Sequence, residues 1–331
     1  MEGRSTYVER IVEAGMRAPS IHNVQPWSVE TDGETLDVRV DRARMLPGID
    51  PAGRETFLSC GAFLLNVRVA AEREGLDASV RLLPRRDDPL LVARVTLAPL
   101  VAPTFDEPGL DDALATRRTA RGNTPDRPVD PDVLAALRRA VVLEDADVTF
   151  LDPRDAARGH LLSTMRRAEA LASLAPARVA IDREWLGVPR GRSDGVPVDS
   201  LGGWFADPVL DVPAPARDEA GGARTFEGRA TVAVLTTPGD RPDDWLVAGQ
   251  ALERMLLVAA THGVHAAFAT QVLEDPSTRS AVERAYCPEA SAQMLMRLGY
   301  GAAGPTTPRR ELDDVLRRRA GTHAATARRG G

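Results

Sequence analysis

The sequence predicts an α+β fold in which two similar halves follow one another in one chain. Helix and strand patterns alternate along the 331 residues without the strict rhythm of a parallel sheet. Two long apolar helical segments, 60–76 and 248–264, align without gaps, and Gly61 then matches Gly249. Each segment ends near a glycine and precedes a strand pattern, so we favour an internal duplication. Because the identities are sparse, two unrelated buried helices remain the alternative.

The elements of the first half follow from residue spacing. Apolar residues at helical spacing predict a helix over 5–17, which ends before Pro19. The alternating run 35–40 predicts a strand, and 56–74 predicts a long buried helix. A second strand is predicted over 90–97.

The second half, over residues 106–318, repeats the alternation, so that the first half occupies residues 1–105. Its predicted elements are helices at 111–118, 131–142, 156–174 and 245–262 and strands at 147–152, 231–237 and 293–300. The remaining residues 319–331 are small, polar and basic, which is typical of a disordered tail.

The stretch 185–226 lacks periodicity and is rich in Gly, Pro and Asp. Segments of this length without regular structure are uncommon in compact proteins and often serve function. We therefore expect a lid-like insertion, in which Trp204 and Phe205 stack on a bound molecule. A loop that wraps the outside of the core is the equal alternative.

Composition argues against several classes of protein. No apolar run of about 18 residues or more occurs and the first residues are polar, so we expect a cytoplasmic protein without a membrane or secretory segment. The net charge of −6, with dispersed arginines, argues against a nucleic-acid partner. The absence of lysine excludes Schiff-base chemistry and a phosphate-loop lysine. Cys60 and Cys287 lack close cysteine partners, so we expect no metal site and place Cys60 in the core.

Three further motifs carry weaker signals. GRSDG at 191–195 matches a hydrolase nucleophile pattern, but no strand precedes it and no helix follows, so Ser193 is not expected to act. GYGAAG at 299–304 matches a dinucleotide-binding pattern, but the following PTTP cannot open a helix. His262 and His265 flank a glycine that ends a helix, and we interpret them as surface or core residues.

Other short motifs resemble the signatures of the nitroreductase family. APSIHNVQPW at 18–27 resembles its flavin-binding turn, and RRTAR at 117–121 resembles its arginine motif. LGYG at 298–301 with PRR at 308–310 resembles its glycine-rich strand end and basic pair. With a helix expected over 260–272, the resemblance covers most of the chain. It implies a nitroreductase-like α+β fold and bound FMN.

The order of the motifs is similar to that of the Acg-like branch of this family. In ordinary members, as the resemblance implies, the arginine motif precedes the turn within one subunit, and the flavin lies at a dimer interface. Here each motif occurs once, with the turn in the first half and the arginines in the second. The resemblance therefore implies a fused pseudo-dimer with one complete site, either monomeric or in a homodimer.

The chemistry of FMN suits the residues of these motifs. Its phosphate is a dianion that arginine forks bind bidentately, and the polar edge of its ring can be bound by hydroxyls and amides. The resemblance also places Thr270 and Gln271 beside the reactive nitrogen of the ring. The predicted cofactor-binding residues are Pro19, Ser20, Asn23, Gln25, Arg117, Arg118, Thr119, Arg121, Thr270, Gln271, Gly299, Arg309 and Arg310.

The resemblance implies a flavin oxidoreductase of nitroreductase type. In such a protein the flavin takes two electrons from NAD(P)H and passes them to an electron-poor small molecule, such as a nitroaromatic or a quinone, so no catalytic side chain is required. One alternative is a protein that binds FMN under a closed lid and turns over little or no NAD(P)H. Another is a flavin dehydrogenase or oxidase of a biosynthetic intermediate.

Overall fold

The computed structural model describes residues 6–121, 127–151, 157–201, 231–301 and 304–319, and the elements below lie in these ranges. The helices are α1 (Tyr7–Gly15), α2 (Arg54–Arg73), α3 (Leu110–Thr116), α4 (Pro131–Val142), α5 (Ala157–Ser173), α6 (Pro176–Trp185), α7 (Pro242–Thr261), α8 (Gln271–Glu274), α9 (Pro276–Tyr286) and α10 (Leu312–Val315). The strands are β1 (Trp27–Thr31), β2 (Thr35–Val40), β3 (Leu76–Leu82), β4 (Leu91–Pro99), β5 (Asp147–Leu151), β6 (Leu186–Val188), β7 (Val196–Pro197), β8 (Thr231–Thr237), β9 (Val264–Phe268), β10 (Ser291–Tyr300) and β11 (Leu316–Arg318).

The two larger sheets share one order of four antiparallel strands. These strands are β1-β2-β4-β3 in the first sheet, where β11 adds a parallel edge strand beside β1, and β5-β8-β10-β9 in the second. In chain order, α1 precedes β1 and α4 precedes β5. A 20-residue helix then connects the next two strands of each set, α2 between β2 and β3 and α7 between β8 and β9. The second sheet differs by two insertions, which are α5 to β7 before β8 and α8 with α9 before β10.

The helices α2 and α7 cross at their glycines. A Cβ atom on Gly61 would lie 2.9 Å from the Cα of Gly249, and one on Gly249 would lie 2.8 Å from the Cα of Gly61. The added atom on Gly61 would also collide with the carbonyl oxygen of Leu246, and that on Gly249 with the carbonyl oxygen of Leu58. Each obstructing leucine stands three residues before the glycine of its own helix, so the contacts are reciprocal. They follow the register in which the two segments align.

One large hydrophobic core joins α2 and α7 to the inner faces of both sheets. Trp27 begins β1, is fully buried, and packs against Phe63 with ring centroids 5.2 Å apart. Cys60 lies in the same core, as its apolar surroundings predicted, and Cys287 is also buried. Within the described ranges, no helix has both the length and the apolar character needed to cross a membrane.

Several predicted elements agree with the structure to the residue, namely the helix at 131–142 and the strands at 35–40 and 231–237. Others are shorter or longer. The first helix begins only at Tyr7, because the Thr6 side chain caps it and Glu9 completes a capping box. The long helices start at Arg54 and Pro242, two and three residues earlier than predicted. The expected helix over 260–272 is wrong, because Val264–Phe268 form β9 and pair with β10.

Two expectations about irregular segments were wrong in part. The stretch from residue 185 is not structureless, because Trp185 ends α6 and residues 186–201 include β6, β7 and a 3-10 turn. Trp204 and Phe205 lie outside the described residues. At the other end of the chain, β11 pairs in parallel with β1 of the first sheet, and the Arg319 amide donates to the Thr31 carbonyl, although this residue was assigned to the tail.

Candidate functional site

The turn between α1 and β1 has an unusual backbone. His22, Asn23 and Gln25 have φ angles of 46°, 57° and 52°, in the left-handed region that side chains other than glycine rarely adopt. The Ser20 hydroxyl accepts a hydrogen bond from the Gln25 amide at 3.0 Å, and the Ser59 hydroxyl of α2 accepts one from the Ile21 amide at 3.2 Å. Such strain is held by surrounding structure and is concentrated at functional sites.

A cavity of about 620 Å³ lies beside this turn. Its walls are the turn, the arginine stretch 117–121, the end of β9 and the segment 305–312, which are distant in sequence. Most of the predicted cofactor-binding residues line it, namely Pro19, Ser20, Asn23, Arg117, Arg118, Thr119, Arg121, Arg309 and Arg310. The structure therefore brings together the three motifs that the sequence keeps far apart.

The arginine stretch is anchored through its main chain to the second sheet. Thr119 forms a parallel bridge with Ala266 of β9, and the Ala120 amide donates to the Ala266 carbonyl at 2.8 Å. Arg117 directly follows α3 and turns inward, where its Nε lies 3.2 Å from Oε1 of Glu253 in α7. The flanking arginines can then face the cavity.

Arg118 and Arg121 face the cavity and form no ion pair within the described residues, although Glu13 and Glu311 line the same cavity. The Arg118 side chain donates a hydrogen bond to the Arg117 carbonyl at 2.7 Å. Burial and the positive charge of Arg117 lower the pKa of both side chains, and Arg17 acts in the same direction on Arg118. Guanidinium groups stay protonated at neutral pH, so the cavity holds positive charge that an anion would stabilise.

The two arginines of the C-terminal motif donate hydrogen bonds to main-chain carbonyls. Arg309 donates to the main-chain carbonyls of Met16, Arg17 and Ala18, at the end of α1, as suits a cation at a helix C-terminus. Arg310 is buried and donates to the carbonyls of Gln25 and Trp27, at 3.1 and 2.9 Å. It borders the cavity, but its guanidinium is committed to the protein main chain rather than free for a phosphate.

Asn23 is also saturated by protein contacts. Its side-chain amide donates to the carbonyls of Gly195 and Pro308, at 2.9 and 3.1 Å, and its oxygen accepts from Arg309 at 3.1 Å. The residue is 3 % exposed. Gln25 is fully buried and donates to the Ser193 carbonyl at 2.9 Å. The turn is thus tied to residues 193–195, in the segment predicted to form a lid.

Four predicted cofactor-binding residues do not line the cavity: Gln25, Thr270, Gln271 and Gly299. Thr270 and Gln271 stand at the start of α8, and Gly299 pairs with His265 inside the second sheet. Sequence reasoning missed Phe268, which lies two residues before Thr270 and does line the cavity. It also missed residues 305–307, whose position between the last two motifs was the available signal.

The weaker motifs have no catalytic geometry. Ser193 contributes its carbonyl, and residues 191–195 join β6 to β7 rather than a strand to a helix. After β10 the described chain continues without a helix until α10. His262 is exposed, whereas His265 lies in β9 with its pKa lowered by burial. Within the described residues, no cluster of three or more His, Cys, Asp or Glu side chains could hold a metal.

Comparison with known proteins supports the resemblance seen in the motifs. No family model matches the chain. The acg protein of Mycobacterium tuberculosis, named as an NAD(P)H nitroreductase, is 31% identical over 329 residues, which cover 96% of this chain and 97% of that protein. Rv3131 of the same organism, named in the same way, is 31% identical over 93% of this chain and 90% of its own length. Rv3127, whose name assigns no activity, is 32% identical over 91% and 90%.

Solved nitroreductase structures are more distant. NfnB from Mycobacterium smegmatis, in complex with NADPH, is 16% identical, and the alignment covers 63% of this chain and 97% of that one with a TM-score of 0.39. The full-length similarity to acg and Rv3131 decides the family. The chain belongs to the nitroreductase family, in its Acg-like branch.

Proposed function

We propose that this protein is an FMN-dependent oxidoreductase that carries two electrons from NAD(P)H to an electron-poor small molecule such as a nitroaromatic or a quinone. The observation that carries this proposal is the pair Arg118 and Arg121, which face one cavity without a carboxylate partner in the described chain. Both side chains are partly buried, and desolvating a cation without a counter-charge is costly, so such a site favours an anionic ligand. The related proteins acg and Rv3131 are named for NAD(P)H nitroreductase activity.

The residues present suit FMN. The volume of about 620 Å³ lies within the usual range of about 300–1,000 Å³ for small-molecule sites. Arg118 and Arg121 would hold the phosphate by charge-assisted hydrogen bonds, while Ser20 and Phe268 offer a hydroxyl and an aromatic surface to the remainder. When bound, a flavin supplies the hydride chemistry, and these side chains would bind and orient it.

We also propose that the chain is a fused pseudo-dimer, with halves at 1–105 and 106–318. The shared strand order of the two sheets and the reciprocal contact of Gly61 with Gly249 support this interpretation. A two-fold relation between subunits produces reciprocal contacts of this kind. The cavity then has the composition of a dimer-interface site, because its turn and its arginine stretch come from different halves.

The corresponding place in the other half supports a single cofactor site. A smaller cavity of about 340 Å³ lies there, lined by Leu143 to Asp145 after α4, by Val80 of β3 and by Phe105 after β4. Glu144 accepts from Arg68 at 2.5 Å and from Arg254 at 2.9 Å. The arginines around this cavity are neutralised, so it lacks the unpaired positive charge of the first one.

One observation favours the alternative of an FMN-binding protein with a covered flavin. Asn23 and Gln25 are hydrogen-bonded to residues 193–195, and Arg44 adds an ion pair to Asp194 at 3.0 Å. These contacts hold the start of the predicted lid against the flavin turn. A lid fastened in this way would restrict access of NAD(P)H to a bound flavin.

Fluorescence titration of FMN into protein variants tests the site. Replacing Arg118 and Arg121 together by alanine removes the proposed phosphate ligands, and each charge-assisted hydrogen bond contributes about 1.5–3 kcal/mol. We expect FMN affinity to fall about 100-fold or more. Ser193→Ala, which leaves the Ser193 carbonyl in place, and Arg190→Ala, at an exposed ion pair with Asp199, should bind FMN as the wild type does. Wild-type affinity in the double variant would contradict the phosphate assignment.

A further inference from the structure

Behind the arginine cavity, α7 carries a fully enclosed carboxylate, Glu253. Neither of its oxygens has a hydrogen bond of good geometry within the described residues, although the side-chain amide of Asn66 on α2 lies close enough to stabilise the carboxylate. The nearest cation is Arg117, whose Nε lies 3.2 Å from Oε1. With so few donors, the buried carboxylate depends mainly on this ion pair for its negative charge.

The other half shows that the fold does not require a carboxylate at this position. In the register that matches Gly61 with Gly249, the residue of α2 equivalent to Glu253 is Leu65. Leu65 is fully buried in the core. The carboxylate therefore occurs only in the helix that lies behind the arginine stretch, and apolar packing is enough in the other.

The charged groups that act on Glu253 come from two other segments. Burial raises the pKa of Glu253 to a net value of about 7, because Arg117, the Asn66 amide and, more weakly, Arg309 of the C-terminal segment offset only part of the effect. From β9, the nearby His265 is itself affected by Arg117, and its pKa is lowered by burial. Arg118 and Arg121 lie farther out, where they lower the pKa of Arg309.

We propose that Glu253 is the counter-ion of Arg117 while the cavity holds no anion, and that it takes up one proton when a phosphate-bearing ligand binds. This inference rests on the proposed function. The arriving dianion adds negative charge beside the same arginines, so Arg117 and Arg309 stabilise the Glu253 carboxylate less. The carboxylate then accepts a proton from solvent and becomes a neutral acid. Glu253 is thus a positioning residue, because it holds the Arg117 side chain in place beside the cavity and does not touch the ligand.

The proposal predicts that FMN binding weakens as pH rises above neutrality. A rise of one pKa unit on binding corresponds to about a tenfold loss of affinity between the low-pH and high-pH limits. The second ionisation of a phosphate monoester lies near pH 6, so between pH 7 and 9 the ligand stays a dianion. His265, with its lowered pKa, is neutral in this range before the ligand binds.

Calorimetric titration with FMN, in non-phosphate buffers of different ionisation enthalpy, measures the protons taken up. At about pH 7.5 the wild type should take up a fraction of one proton. Glu253→Gln keeps the shape but cannot titrate, so it should bind FMN with no uptake and with an affinity that does not change from pH 7 to 9. His265→Asn should keep the wild-type uptake.

A second variant at the same position keeps the test valid if Glu253→Gln fails to fold. Glu253→Leu copies the residue that α2 uses at the equivalent position, and it should also lose the uptake. Unchanged uptake in a Glu253 variant, or loss of uptake in His265→Asn alone, would overturn the inference. Wild-type protein that binds FMN without proton uptake would overturn it too and leave the proposed function standing. A wild type that fails to bind FMN at any pH would overturn both.

Discussion

Gly61 in α2 and Gly249 in α7 lie against one another, and each occupies the place where the other helix comes closest. The contact joins the two long helices that each connect the second and third strands of a sheet. Because neither residue has a side chain, the two backbones can approach more closely than ordinary helices, whose axes lie about 8–10 Å apart.

Alanine at either glycine should destabilise the protein. The new methyl group would meet main-chain atoms of Leu246 or Leu58, which cannot rotate away as a side chain does. Overpacking costs about 1–3 kcal/mol, and against main chain we expect about 3 kcal/mol. Urea unfolding measures the loss, and the double variant should lose less than the sum because both changes push the same helices apart.

Gly159 provides the matched control for this experiment. It lies in α5 with open space where a Cβ would stand. Gly159→Ala should be neutral or stabilising by about 1 kcal/mol, from helix propensity alone. If Gly61→Ala behaved like Gly159→Ala, the close approach of α2 and α7 would be wrong.

The parts of the fold that were predictable from sequence have local signals. Alternation marks the strand at 35–40, a continuous, mostly apolar run marks the buried strand at 231–237, and a proline at the first position marks the start of α4. The pairing of β11 with β1 has no such signal. Its residues are Leu316, Arg317 and Arg318, and a short basic run of this kind has no pattern that is typical of a strand. It forms a strand because β1, which is distant in sequence, supplies the hydrogen bonds.

The sequence predicts which residues line the cavity better than it predicts which groups their side chains bind. The motifs identify which residues gather at the cavity, but Arg310 and Asn23 are bound by protein groups that come from far away in sequence. No local pattern shows which carbonyl a given arginine will meet. Glu253 could have been predicted as a candidate residue from the sequence, because a charged residue among the apolar positions of a buried helix is rare without a partner.

Arg310 should contribute to stability rather than to phosphate binding. Arg310→Ala would leave the buried carbonyls of Gln25 and Trp27 without their donor, and we expect a loss of about 3 kcal/mol in urea unfolding. Arg121→Ala, which removes a cation without a carboxylate partner, should change stability little. A stable Arg310→Ala protein with strongly weakened FMN binding would instead restore Arg310 as a phosphate ligand.

Asn23 should fasten the lid segment to the turn. Asn23→Ala removes the hydrogen bonds to Gly195, Pro308 and Arg309 and places alanine at a φ of 57°. Asn23→Gly loses the same bonds but tolerates the backbone, so it should be more stable than the alanine variant by about 1 kcal/mol. In both variants, limited proteolysis should cut residues 186–201 faster than in the wild type. Unchanged proteolysis would show that the segment is held elsewhere.

Asp240 should make stability fall in acid. Burial alone would raise its pKa, but hydrogen bonds from Arg279 and Trp245 outweigh this and lower the pKa to about 2. The carboxylate therefore stabilises the fold above the unfolded-state pKa of about 4, and the contribution is lost as pH falls towards 2. Since the group is partly exposed, we expect Asp240→Asn to cost about 1 kcal/mol at pH 7. The difference from the wild type should disappear near pH 2, and a difference that persists there would exclude the ion pair as its cause.

The visible spectrum of the purified protein, recorded without oxygen before and after addition of NADPH or NADH, tests the central proposal most directly. We expect a yellow protein that bleaches with the nicotinamide and regains its colour with a quinone or a nitroaromatic compound. A protein that stays yellow with both nicotinamides, yet bleaches with dithionite, would contradict the oxidoreductase and support a covered flavin. A colourless protein that cannot be loaded with FMN would contradict the cofactor site itself.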